Sequence, residues 1–132
     1  MNGKKQGYGE EVTILGDKYQ GRFVDDEKTG FGRYILENGD FYEGEVKDDE
    51  FHGQGMFIDY ETEIVSEGTF VDGYLNGKGA EEYPDGNKYT GDFKNANKDG
   101  DGVFEFEDGS KYVGQFKDDL QHGHGNYPFL LN

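Results

Sequence analysis

Along most of this chain, residues of one parity are aromatic, aliphatic or glycine, and those of the other are mostly polar. In Tyr19-Gln20-Gly21-Arg22-Phe23 the rings and the glycine fall on Tyr19, Gly21 and Phe23, the two-residue period of a strand with one buried face. Asp25-Asp26-Glu27-Lys28-Thr29 then reads as a polar loop, and Gly30 to Leu36 as the returning strand. Asn38-Gly39 closes the unit with the strongest short hairpin signal, since both central residues of a type I′ turn take positive φ. The opening residues hold only the second half of such a unit: Gly7-Tyr8-Gly9, a strand through Val12-Thr13-Ile14, and a turn at Leu15-Gly16-Asp17.

The unit recurs. Gly-x-Gly stands at Gly7/Gly9, Gly30/Gly32, Gly53/Gly55, Gly77/Gly79, Gly100/Gly102 and Gly123/Gly125, in steps of 23 residues with one step of 24. Nine residues before each later pair comes another glycine: Gly21, Gly44, Gly68, Gly91 and Gly114. A tyrosine stands two residues ahead of it at Tyr19, Tyr42, Tyr89 and Tyr112, with Ser66 the exception. A fixed period of this length marks an array whose units bury their faces against neighbours. The expected organisation is one domain over 1–132: a half repeat 1–18, then repeats 19–41, 42–65, 66–88, 89–111 and 112–132.

The fold class that follows is all-β, an extended twisted antiparallel sheet of successive β-hairpins. About eleven strands at roughly 4.8 Å spacing give a ribbon about 50 Å long. Rings share one face: Tyr19/Phe23/Tyr34, Tyr42/Val46/Phe57, Phe70/Tyr83, Tyr89/Phe93/Phe104/Phe106 and Tyr112/Phe116/Tyr127/Phe129. Glycine between them leaves room for a ring to lie across the backbone, and twist can curl the sheet into a trough around the rings. Two departures adjoin in mid-chain. Tyr60-Glu61-Thr62-Glu63 replaces the Asn-Gly turn with one extra residue, and repeat three has Ser66 and Glu81 where its neighbours carry aromatics. A kink or bulge is expected there, with packing through residues 56–70 interrupted. The terminal Pro128-Phe129-Leu130-Leu131 is expected to cap an otherwise open strand edge.

The pattern Tyr-x-Gly-x-Phe, polar loop, Gly-x-Gly, Asp-Gly resembles the MORN (membrane occupation and recognition nexus) repeat. Tyr89-Thr90-Gly91-Asp92-Phe93, Gly100-Asp101-Gly102 and Asp108-Gly109, continuing into Tyr112-Val113-Gly114-Gln115-Phe116, carry the likeness, which covers nearly the whole chain. The resemblance implies a β-hairpin array used in protein scaffolding, often at cytoskeletal or ciliary structures, with self-association in some members. It also implies two further readings: a phospholipid-associated membrane adaptor, and a regulatory subunit acting with a separate enzyme.

Charge narrows the partners. The net charge is −16 and no basic stripe offsets it, so nucleic acid is excluded and docking on anionic lipid is disfavoured. A protein partner with a basic segment is what the field favours. The chain has no cysteine, its amino end lacks the apolar run of a signal peptide, and no window reaches membrane-spanning length. A soluble cytoplasmic protein is expected.

No nucleophile–base arrangement appears and the carboxylates are scattered, so no catalytic residue, no cofactor and no metal is expected. Asn97-Lys98-Asp99-Gly100-Asp101-Gly102, with Asp108 at the twelfth place, matches part of a calcium loop. The repeat already demands those glycines, and coincidence is the preferred reading. His122 and His124 are two ligands without a third, and His52 lies units away. Two surfaces remain. On the polar face the return strands read Val12, Ile35, Ile58, then Glu82, Glu105 and Pro128, with Val24, Phe31 and Met56 nearby. This apolar column is the candidate surface for a partner protein or a second copy; ordinary strand filling, or contact with a curled neighbouring strand, is the alternative. The second is an acidic edge formed by Asp25, Asp26, Glu27, Asp48, Asp49, Glu50, Asp72, Asp118 and Asp119. Solubility and edge protection account for it, and a docking strip for a Lys/Arg-rich segment is the functional alternative.

Overall fold

A computed structural model describes residues 4–126, and residues 120–126 by their backbone alone. The strands are β1 (Gly7–Val12), β2 (Lys18–Val24), β3 (Glu27–Ile35), β4 (Phe41–Lys47), β5 (Glu50–Ile58) and β6 (Val65–Val71). They continue as β7 (Tyr74–Glu82), β8 (Lys88–Lys94), β9 (Asn97–Glu105), β10 (Lys111–Lys117) and β11 (Leu120–Asn126). Each pairs antiparallel with the next in one sheet ordered β1 to β11. Tyr127, Pro128, Phe129, Leu130 and Leu131, with the cap expected of the last four, lie outside the described residues.

The glycines line up. Gly9, Gly21, Gly32, Gly44, Gly55, Gly68, Gly79, Gly91, Gly102 and Gly114 stand directly opposite one another from β1 to β10. Tyrosine rings lie over this row on the inner face. A Cβ on Gly32 would come within 2.5 Å of the Tyr19 ring, and one on Gly21 within 2.5 Å of its hydroxyl. The hydroxyls of Tyr19, Tyr42, Tyr89 and Tyr112 then donate to the carbonyls of Arg22, Glu45, Asp92 and Gln115, each three residues on, at 2.6–3.1 Å. The first glycine of a Gly-x-Gly pair has a different task. In the pairs β2–β3, β4–β5, β6–β7, β8–β9 and β10–β11 the register shifts beside the glycine row. At the β8–β9 shift Gly100 holds a φ of +112°, a region open to glycine.

Tyr19, Phe23, Tyr42, Val46, Phe70, Leu75, Tyr89, Phe93, Tyr112 and Phe116 form the core, with Tyr42 and Tyr89 at 0% exposure. A single sheet has no covering layer, so this burial is made within the array, ring against ring and stem against glycine. Burial raises the Tyr19 phenol and holds those of Tyr34, Tyr42, Tyr83 and Tyr89 well above the ordinary tyrosine range.

Several local expectations are corrected. The loop at Asp25–Thr29 is a two-residue turn: Asp25 and Asp26 both take positive φ (48° and 69°), while Glu27, Lys28 and Thr29 belong to β3. Asp48-Asp49 and Asp118-Asp119 do the same, and Glu50 opens β5. Type I′ chemistry therefore resides in the Asp-Asp pairs and in their counterparts Asp72-Gly73 and Asn95-Ala96, led by Asp or Asn because these tolerate the left-handed region. Asn38-Gly39 instead completes a turn closed by Gly39 N–H donating to the Leu36 carbonyl at 2.9 Å, with positive φ on Gly39 alone. The strand expected through Ile14 ends at Val12, and Ile14 stands fully exposed in the following turn.

The mid-array kink is absent. β5 and β6 pair without a register shift from Gly53↔Phe70 to Ile58↔Val65. The extra residue is absorbed in the turn, where Glu63 N–H donates to the Asp59 carbonyl at 2.8 Å and Glu63 takes the positive φ. The missing tyrosine at Ser66 is offset by Leu75, whose methyls stand where a Cβ on Gly79 would meet them at 3.3 Å. Glu81 is not a defect either. It occupies the place of Glu11, and each meets a lysine one unit on: Glu11–Lys28 at 2.7 Å and Glu81–Lys98 at 3.8 Å.

Candidate functional site

The outer face is read most directly across the strands. One row of directly opposed residues runs Val12, Lys18, Ile35, Phe41, Ile58, Val65, Glu82, Lys88, Glu105, Lys111. Its first six members are apolar except Lys18. Its last four alternate in charge, with Lys88–Glu82 at 3.6 Å and Lys111–Glu105 at 3.5 Å. Val12 is 63% and Ile35 40% exposed, while Phe41, Ile58 and Val65 are half-buried and stand outside the buried core. The apolar part covers about six strands, roughly 24 Å at the usual strand spacing.

Three expected column residues, Val12, Ile35 and Ile58, stand in this row. Phe31 and Met56 do not. They line one depression over the glycine row, together with Glu43, Gln54 and Glu67. Val24 lies apart at the far edge, next to the Asp25-Asp26 turn, paired with Glu27. Phe41 and Val65 join the row without having been read from the sequence. Each stands just before the first aromatic position of its repeat, where Lys18, Lys88 and Lys111 stand in the others. Comparing that single position between repeats would have found them.

The acidic edge has a structural use. The Asp26 carboxylate accepts the Lys5 backbone N–H at 2.5 Å, and that of Asp119 accepts the Lys98 N–H at 2.7 Å. Asp49 meets Lys28 Nζ at 3.1 Å. The second aspartate of each of these pairs thus ties its turn to the preceding unit. Asp25 and Asp48 are exposed, as are Glu27, Glu50, Asp72 and Asp118.

On the inner face a polar cluster sits among the rings. Tyr83 Oη donates to Glu81 at 2.7 Å, and Lys98 Nζ lies 3.1 Å from Tyr83 Oη, 3.5 Å from Asp119 and over the Tyr83 and Tyr89 rings. Burial, then the bond to Glu81, raises the Tyr83 phenol. Beside this cluster lies a cleft of about 490 Å³ lined by Phe51, Phe57, Ser66, Phe70, Leu75 and Glu81, among others.

The residues of the partial calcium motif lie on an extended strand, β9, so Asn97, Asp99 and Asp101 do not wrap round a common point. Among the described residues no three His, Asp or Glu side chains gather as a metal would require. His52 is half-buried on β5; His122 and His124 lie in the segment described by backbone alone. Among the described residues no helix is long and apolar enough to cross a membrane.

The model of the MORN repeat matches residues 1–12, 19–41, 42–60, 67–88, 89–111 and 112–127. No curated protein matches the chain. Among solved structures, the TCP10c domain of Drosophila melanogaster Sas-4 is 16% identical, with 92% of this chain and 91% of that one covered and a TM-score of 0.47. The SAS-4 (dCPAP) TCP domain of the same organism, in complex with a proline-rich motif of Ana2 (dSTIL), is 14% identical, with coverage of 92% and 83% and a TM-score of 0.45.

Proposed function

We propose that this chain, which belongs to the MORN-repeat family, is a non-catalytic scaffold that holds a partner protein along the outer apolar row. The observation that carries the reading is that row itself: Val12, Ile35, Phe41, Ile58 and Val65, opposed strand by strand and facing outwards. Hairpins that already bury their rings on the inner face do not need these side chains for the core. An apolar strip with Val12 and Ile35 exposed and Phe41, Ile58 and Val65 half-buried, on a chain of charge −16, is a surface suited to contact. The acidic turns add long-range attraction for a basic partner and speed its encounter. A cytoplasmic place in a cytoskeletal or ciliary assembly belongs to this proposal.

The test is affinity capture at low and high salt with the wild type and Ile35→Asp. The expected result is a discrete protein held by the wild type in both salts and lost from the variant, with the circular dichroism spectrum unchanged. Capture lost only in high salt would move the function to the acidic turns. Recovery on anionic vesicles without any protein would favour the lipid-adaptor reading instead.

A further inference from the structure

The rings of the inner face form two groups. Tyr19, Phe23, Tyr34, Tyr42, Phe51, Phe57 and Phe70 are linked by ring contacts of 3.9–6.1 Å between centroids. The other group begins at Tyr83, late in repeat three, and comprises two contacting sets, Tyr83/Phe104/Phe106 and Tyr89/Phe93/Tyr112/Phe116. Between the groups, Ser66 stands where the other full repeats place tyrosine, and Leu75 fills only part of that space. The 490 Å³ cleft is what remains. Its size and its aromatic and aliphatic walls with a few polar groups are those of a ligand site. At its base Ser66 Oγ meets Glu81 Oε2 at 3.5 Å, the outer limit of a hydrogen bond.

The cleft runs along the strands, from Asp59 and Thr62 in the turn after β5 to Gly73 and Ala96 at the opposite edge. Both ends are acidic. Asp59 lines one, in a turn that also carries Glu61 and Glu63. Asp72 adjoins Gly73 at the other, where Gly73 N–H donates to the Phe51 carbonyl, close in sequence to Asp48 and to Asp49, which is paired with Lys28.

We infer that this inner cleft receives a short segment of a partner protein with an apolar centre and lysine or arginine on both flanks. An aliphatic or aromatic side chain occupies the space of the absent tyrosine, between Phe57, Phe70 and Leu75. The basic flanks meet the carboxylates at the two mouths, so charge selects the segment and the apolar centre anchors it. This site is on the face opposite the outer row and does not depend on it.

The test uses a labelled synthetic peptide, Lys-Arg-Leu-Phe-Leu-Arg-Lys, with the full chain, followed by anisotropy and by backbone amide shifts. Ser66→Tyr with Leu75→Phe recreates the stacked pair found as Tyr42 and Phe51 in repeat two, with Phe57 in the place that Tyr34 takes there, so the filled variant is expected to keep or raise its melting temperature. It should bind the peptide at least about tenfold more weakly, as should the wild type offered a peptide with serine at the three central places. Ile35→Asp should bind the peptide as the wild type does, which separates failure here from failure of the outer-row reading. Shifts should centre on Ser66, Phe70, Leu75 and Glu81. No binding, equal binding by the filled variant or to the serine peptide, or shifts confined to the acidic turns would overturn the proposal. A wild-type dimer abolished in the filled variant would also overturn it, with a second copy as the occupant.

Discussion

The two halves of the sheet are alike inside and unlike outside. Tyr42 in β4 and Tyr89 in β8 are both fully buried, and both bond to a carbonyl three residues on. On the outer face the same transverse row is Ile35, Phe41, Ile58 and Val65 in one half and Glu82, Lys88, Glu105 and Lys111 in the other. Folding needs the inner pattern in every repeat, because each hairpin buries its rings only against its neighbours. It does not need the outer pattern, which is free to vary and so can carry function.

The largest test of this comparison is removal of an inner ring from each half. Tyr42→Ala and Tyr89→Ala should each cost about 4 kcal/mol in urea unfolding, since the loss combines transfer and cavity terms. Because no ring contact among the described residues spans from Phe70 to Tyr83, hydrogen exchange should rise mainly in residues 19–70 for the first variant and 83–117 for the second. A uniform rise along the chain would show one indivisible core.

Alkali should act on both halves together. The Tyr19, Tyr34, Tyr42, Tyr83 and Tyr89 phenols are raised by burial, and below about pH 10 folded and unfolded chains alike keep these protons. Above it the unfolded chain loses protons that the folded core retains. Stability therefore falls as pH rises, by up to about 1.4 kcal/mol per pH unit for each phenol. Urea midpoints and phenolate absorbance follow this directly; ionisation of these five phenols near pH 10, as well as that of the exposed tyrosines, while the sheet stays folded would contradict it.

The smallest effect separates the outer rows. A double-mutant cycle on exposed Glu82 and Lys88 should give about 0.5 kcal/mol at low salt and almost nothing at high salt. The cycle on Ile35 and Phe41, also directly opposed, should give a coupling of about 0.5 kcal/mol that salt leaves in place. Equal salt dependence would remove the distinction between the halves.

Much of this was legible in the chain. The spacing of the glycines placed the strands, and alternation put Tyr19, Tyr42, Tyr89 and Tyr112 on one face, because side-chain period and repeat period are properties of local sequence. Turn type was less legible. Asn38-Gly39 carries the standard type I′ signature, yet the turns with two positive φ values are the three Asp-Asp pairs, Asp72-Gly73 and Asn95-Ala96. Strand register decides which residues are central in a hairpin, and register is a property of two strands together.

The candidate surfaces divide in the same way. Val12, Ile35 and Ile58 recur at one place in the repeat and could be grouped from the sequence alone. Phe41 and Val65 come from the neighbouring strands, and only cross-strand pairing sets them between the others. The sequence by itself determined the array, the buried face and the strongly acidic balance, since period and net charge are sums over residues. Tertiary structure decided that Ser66 and Glu81 interrupt the rings without kinking the sheet. Leu75 and Lys98 supply the compensating contacts from later strands, and no local pattern records which distant side chain will fill a space.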